Sequence, residues 1–346
     1  MAHISSRIAL TFSFLAMPFS AFAVDKPTVV VDDPAYTHAQ QLVEVAPGRR
    51  LNLYCTGKGS PTVVFDSGVT GETVGWALVQ PEIAKHTRAC SYDRAGVGFS
   101  DPGTRTGTSA NIVEDLHKLL AGAGIAPPYI LVGHSYGGMN VRLYKDHYPS
   151  EVIGMVLVDP SHEDWTETAL KLDLRQRPYE QRYSDFETMW QGERECVFAA
   201  AAGFVKGSKL YEQCISEPDP RLSDAINEAY LKTHLSLAYQ QAGLTEDENL
   251  HFASSDQLRA SRTWYGDMPL IVLAAGDRPG KRANEPQSHR TAINQIYVVL
   301  FDQLAALSSR GVNRVVPNTG HDIPMTQPAA VNTAILEVID MASKPN

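Results

Sequence analysis

The chain predicts an α/β protein, a mostly parallel sheet flanked by helices and interrupted by one long helical insertion. Two observations predict it. Short apolar runs ending at glycine or aspartate alternate with longer amphipathic stretches, the βαβα order of parallel strands covered on both faces. From Ser161 to about Asp267 that alternation stops. The intervening stretch is too long for a structureless loop and carries helical spacing without a convincing strand. At 346 residues and 43% hydrophobic content the chain can bury a sizeable core.

The elements run in order. "RLNLYCTG" and "PTVVFDSG" read as strands stopped by glycine. "GWALVQPEIAKH" reads as a helix despite Pro81. "TRACSYDRAGVGFSDPG" is a short strand running into a glycine-rich loop. "SANIVEDLHKLLAGAG" has apolar residues at helical spacing, with Ser109 as N-cap and Gly122 and Gly124 as the stop. "YILVG" is a strand, "GGMNVRLYKDHYP" a helix stopped by Pro149, and "VIGMVLVD" a strand. After the insertion, with helical stretches such as "RLSDAINEAYLKTHLSLAYQQAG", the pattern resumes. "MPLIVLAAGD" is a strand, "TAINQIYVVLFDQLAALSSRG" a helix, "NRVVP" a last strand, and "QPAAVNTAILEVIDMAS" a closing helix. The expected organisation is a signal segment over 1–23, a core over 24–160 and 268–346, and the insertion over 161–267.

The N-terminus reads as a secretory signal peptide. A basic start ending at Arg7 precedes the apolar run Ile8 to Phe19 and the cleavage pattern Ala21-Phe22-Ala23. The mature chain then starts near Val24, exported to the periplasm or the extracellular medium. No later segment reaches the roughly 18 apolar residues that a spanning helix needs. The formal charge of −9 offers no basic footprint for nucleic acid or an anionic membrane surface. Four cysteines in an oxidising compartment point to two disulfides, for which three pairings are possible. The pairs nearest in sequence are Cys55–Cys90 and Cys196–Cys214, the latter inside the insertion. No spacing matches a zinc site.

The stretch "LVGHSYGG" carries the chemistry. Gly133-His134-Ser135-Tyr136-Gly137 is G-x-S-x-G between a buried-type strand and a helix. A serine at so sharp a turn needs glycine two residues before and two after. The turn lifts the hydroxyl above the sheet edge and points the first amides of the helix at the same spot. No G-x-G-x-x-G follows the first strand, so no dinucleotide site is supported.

With "VVFDSG", "CSYDRAGVGFSD", "LVGHSYGG", "VIGMVLVD", "PLIVLAAGD" and "NTGHDIP" in that order, nearly the whole mature chain resembles an α/β-hydrolase of the serine esterase and lipase-like branch. The resemblance implies a nucleophilic Ser135 and, because the family's order is Ser, acid, His, a base at His321 after the last strand. His134, His162, His251 and His289 fit that position less well. For the acid it offers Asp159, at the end of "VIGMVLVD", ahead of Asp277, with Glu163 or Asp164 behind them. The implied oxyanion hole uses the amides of Tyr136 and Val69. Gly68 and His134 line the substrate pocket, and the segment around Asp93 and Arg94 shapes a loop. The insertion falls where the superfamily carries its cap. The resemblance therefore implies a small-molecule ester hydrolase with an acyl-enzyme intermediate, no metal or organic cofactor, and a monomeric state. Amidase, peptidase, lactonase or haloperoxidase chemistry on the same residues, or a non-catalytic ligand-binding protein, are the alternatives. Epoxide hydrolases and haloalkane dehalogenases use an aspartate where this chain has Ser135.

Overall fold

Eight strands form one sheet in the computed structural model, which describes residues 30–171, 179–276 and 287–344. The expected signal peptide over 1–23, the mature start at Val24 and Asp277 lie outside the described residues. The strands are β1 Gln41–Ala46, β2 Arg49–Thr56, β3 Thr62–Asp66, β4 Ala89–Tyr92, β5 Tyr129–His134, β6 Val152–Val158, β7 Leu270–Ala275 and β8 Gly311–Val316, in the order β1-β2-β4-β3-β5-β6-β7-β8. β2 runs antiparallel to both β1 and β4, and all other neighbours are parallel. β3 and β7 are buried along their whole length, as strands covered on both faces must be.

The covering helices are α1 Gln80–Ile83, α2 Ser109–Gly122, α3 Tyr136–His147, α10 Gln287–Ala305 and α12 Pro328–Ser343, with the short turn α11 Ile323–Thr326 ahead of the last. Ile112 and Leu116 of α2, Met139 of α3 and Leu300 of α10 pack on one face of the sheet. Ile83 of α1 with Val331, Ile335 and Val338 of α12 fill the other. Two sequence expectations shift. Pro81 is tolerated in the first turn of α1, and the expected helix over 75–86 is reduced to α1 and the end of a preceding 3-10 helix, Thr73–Trp76. The N-cap of α2 is Thr108, whose side chain accepts from the Asn111 amide, and not Ser109.

Between β6 and β7 lie α4 Trp165–Lys171, α5 Tyr179–Ala202, α6 Lys209–Cys214, α7 Asp224–His234, α8 Leu237–Asn249 and α9 Ser255–Ser261. The apolar pattern over 221–243 splits into two helices because Ser236 caps α8, its hydroxyl accepting from the Tyr239 amide. One disulfide, Cys196–Cys214, staples α5 to α6, and the other, Cys55–Cys90, joins β2 to β4 at paired positions. No helix among the described residues is long and apolar enough to cross a membrane.

Strand register sets the site. Asp66 pairs with Gly133, His134 with Val158, and Val158 with Leu273. The carboxyl ends of β3, β5, β6 and β7 therefore finish at one level, and the residues after them meet at one edge, where open α/β sheets bind their ligands.

Candidate active site

Ser135 joins β5 to α3 with φ 53° and ψ −120°, a conformation that non-glycine residues avoid. The neighbouring glycines make it possible. A Cβ on Gly133 would stand 2.4 Å from the Gly137 carbonyl oxygen, one on Gly137 2.1 Å from the Asp66 carbonyl oxygen, and one on Gly138 2.4 Å from Pro160 Cβ. The Ser135 amide donates to the Val158 carbonyl at 3.2 Å, and its carbonyl accepts from Gly138 and Ser161. The turn is thus pinned to β6.

Asp159 follows β6 directly, is buried, and also has a positive φ, 42°. Its amide donates to the Leu273 carbonyl at 2.7 Å and its Oδ1 accepts from the Ala275 amide at 2.9 Å. With its backbone and one oxygen tied to β7, Oδ2 reaches His321 Nδ1 at 2.6 Å. The His321 side chain is 54% exposed, while that of Asp159 is 1% exposed. A buried carboxylate thus orients a solvent-facing imidazole by its Nδ1–H, leaving Nε2 as the acceptor.

His134, read from the sequence as packing beside the serine or lining the pocket, packs on His321. Its Nε2–H donates to the His321 carbonyl at 2.9 Å, and the two rings lie 4.7 Å apart. The edge of Trp76 covers its other side. Burial, reinforced by the neighbouring His321, depresses its pKa to about 4, so it is a neutral strut. Because His134 adjoins Ser135 in the chain, this contact ties His321 to the serine turn.

The other expected residues sort by place. A Cβ on Gly68 would meet Ser135 Cβ at 3.2 Å and Oγ at 3.5 Å, so the loop after β3 passes against the serine. Val69 follows it in that loop, and Tyr136 is the first residue of α3. The Tyr136 hydroxyl is occupied elsewhere, donating to the Gly107 carbonyl at 2.7 Å and meeting Ser254 Oγ at 2.8 Å. Glu163 and Asp164 do not approach His321 in any described contact. Glu163 receives Arg142 at 3.0 and 2.7 Å and also Arg262, while Asp164 receives Arg259 at 2.8 Å. Their donor atoms and that of His162 lie within 4.8 Å of one another. Three guanidinium groups already neutralise the two carboxylates, which removes the negative charge that a cation would need. His162 is buried, with its pKa depressed to about 4 by that burial, and His251 packs on Phe186. The His289 side chain lies outside the described residues.

Asp93 shapes its loop as expected, accepting from the Thr73 amide at 2.8 Å, Asn52 Nδ2 at 2.8 Å and the Phe99 amide at 3.1 Å. Arg94 does more. It reaches the carbonyls of Ser67 and Gly68 beside the serine and pairs with Glu246 of α8. Glu246 carried no sequence signal, because its partner lies 152 positions away. A cavity of about 660 Å³ shares Arg94 and Glu246 with the site and is also lined by Arg49, Arg105 and Ala242, but not by Ser135 or His321.

Residues 61–303 match the family model described as alpha/beta hydrolase fold. The chain is 23% identical to the Bacillus subtilis (strain 168) protein YqjL over 283 residues, covering 82% of this chain and 85% of that one. Among solved structures, the epoxide hydrolase CorEH superposes with a TM-score of 0.62 at 14% identity over 88% of this chain and 98% of its own. A thermophilic esterase from Thermogutta terrifontis superposes with 0.57 at 20% identity over 88% and 100%. At these identities the two structures share the fold.

Proposed function

Because the chain belongs to the alpha/beta hydrolase fold family, we propose that this hydrolase is an exported serine enzyme cleaving small carboxylic esters through Ser135, His321 and Asp159. The observation that carries the proposal is the 2.6 Å contact from buried Asp159 to His321 Nδ1, with His321 tied through His134 to the Ser135 turn. An imidazole held this way has its free Nε2 available as a general base.

In this mechanism Ser135 Oγ attacks the ester carbonyl carbon while His321 Nε2 takes the hydroxyl proton. Asp159 stays ionised and stabilises the imidazolium. The carbonyl electrons move to oxygen, where the amides of Val69 and Tyr136 receive the negative charge. Each such donor contributes about 3–4 kcal/mol to the transition state. Collapse expels the alkoxide, protonated by His321, and leaves an acyl-serine. Water deprotonated by His321 then releases the acid and restores the serine. The helices between β6 and β7 act as a cap that restricts access. A serine nucleophile favours ester chemistry over epoxide opening, which in this family runs on an aspartate. The two disulfides accord with export to an oxidising compartment.

A fluorophosphonate probe tests this. The expected result is an adduct on the peptide carrying Ser135, absent in His321→Ala, together with turnover of short-chain esters. Folded wild-type protein that neither labels nor turns over would overturn the assignment.

A further inference from the structure

The loop that follows β3 is held from outside the core. Arg94, whose side chain is 3% exposed, donates to the Ser67 carbonyl at 2.9 Å, to the Gly68 carbonyl, and to Asp66 Oδ1 at 2.8 Å. Its remaining donors go to Glu246 of α8, Nε to Oε1 at 2.7 Å and Nη2 to Oε2 at 2.9 Å. Glu246 Oε2 also accepts from the Thr70 amide at 2.8 Å. Glu246 is as buried as Arg94. Gly243 of the same helix comes close to Thr70 as well, since a Cβ added to it would stand only 3.1 Å from Thr70 Cγ2. At the other end of the loop, buried Glu72 meets His234 Nε2 of α7 at 3.2 Å.

We propose that Glu246, acting through Arg94, is a positioning residue for the oxyanion hole, so that the insertion helps to shape the catalytic site it covers. This deepens the serine-hydrolase proposal and rests on it. The argument is geometric. In a trans peptide the carbonyl and the following N–H point in opposite directions. Arg94 takes the Gly68 carbonyl on the side of β4 and α8, which turns the Val69 N–H the other way. Gly68 itself faces Ser135, so the Val69 N–H is aimed at the side where the substrate oxygen collects charge. Glu246 fixes Arg94 by two bonds and fixes Thr70, one residue beyond Val69, by a third. Without Glu246, Asp66 and the loop carbonyls still hold Nη1 and one Nη2 donor, but Nε and the other Nη2 donor are left buried and open, which is costly and frees the guanidinium to shift. A transition-state donor acts only when preorganised, so loosening the clasp lowers turnover more than substrate binding.

The test is steady-state ester kinetics and the fluorophosphonate labelling rate on full-length mature enzyme carrying Glu246→Gln, with thermal unfolding followed in parallel. Glu248→Gln is the control, since Glu248 lies on the same helix and pairs with Arg194 at 3.2 Å. The expected result is a fall in kcat of about 10–100-fold with KM within about threefold, and labelling slowed in proportion. Glu248→Gln keeps wild-type kinetics. Arg94→Lys retains the charge but loses the fork of donors; it is expected to show the same split and serves if Glu246→Gln does not fold. Wild-type kcat in either folded variant, or a rise in KM alone, overturns the positioning role while leaving the serine mechanism standing. Absence of labelling and turnover in the wild type overturns both.

Discussion

Ser135 and Asp159 both sit at positive φ, and they are adjacent across the β5–β6 pair. Strain at two neighbouring non-glycine residues persists only where the surroundings over-determine it. Here the backbone of each is bonded to the next strand, and Gly133, Gly137 and Gly138 leave no room for a different turn. Gly137→Ala is therefore expected to be among the severe substitutions, losing more than about 3 kcal/mol in denaturant unfolding or failing to fold. Asp159→Asn keeps the shape of the side chain but removes the charge that holds the Nδ1–H tautomer of His321. Its kcat is expected to fall by roughly 10³–10⁴-fold, whereas Asp277→Asn is expected to retain activity. The reverse outcome in the same assay would move the acid to the other strand end. Ser135→Ala with His321→Ala is expected to be little worse than either alone, because the two act as one unit.

At the scale of elements, the helices between β6 and β7 have their own covalent tie. The Cys196–Cys214 bridge closes a short loop, with a sequence separation of 18, between α5 and α6. Replacing both cysteines by serine is expected to cost about 2–4 kcal/mol. Hydrogen exchange is expected to rise first in α5 and α6 and not in β5 or β6; uniform exchange across the sheet would contradict a local staple. The same insertion grips the core at buried polar points, Glu246 on Arg94 and Ser254 Oγ accepting from the Ser109 amide at 3.0 Å. Ser254 closes a π-helical turn, Leu250–Ser254, a wider winding that sets its hydroxyl between the start of α2 and Tyr136.

For the whole molecule, buried titratable groups set how stability responds to pH. Burial depresses His162 to about 4, so its contribution is full above pH 6.5 and is lost as pH falls toward 4. His134 and His251 are depressed in the same direction, also to about 4. Glu72 acts with the opposite sign. Burial lifts it from 4.5 to about 7, so the stability it contributes is complete below pH 4.5 and is lost as pH rises through 7. The three histidines lower stability on acidification between pH 6.5 and 4.5, opposed by Glu72 and by Glu193, which burial and the neighbouring Asp247 lift to about 9; the expected readout is the change each variant makes to the pH dependence. Thermal melts across that range check it. His162→Gln is expected to flatten the slope by on the order of 1.4 kcal/mol per pH unit, and Glu72→Gln to steepen it. A pH dependence left unchanged by both substitutions would contradict this reading.

The sequence by itself determined the strand and helix alternation, the serine turn and the position of His321, because each rests on short-range pattern. Apolar periodicity marks the elements, two glycines at fixed offsets mark the turn, and a histidine after the last strand marks the candidate base. It also put Asp159 first among several acids through the family resemblance, but local pattern alone does not separate them. Tertiary structure decided what depends on register and distance. β6 ends beside β5, which brings Asp159 Oδ2 to His321, while Glu163 and Asp164 turn into a cluster of arginines. The roles of His134 as a brace and of Glu246 as the partner of Arg94 were illegible in sequence. A half-buried histidine looks like any other residue in the chain, and a carboxylate on a polar helix shows nothing of the guanidinium that the folded chain carries to it.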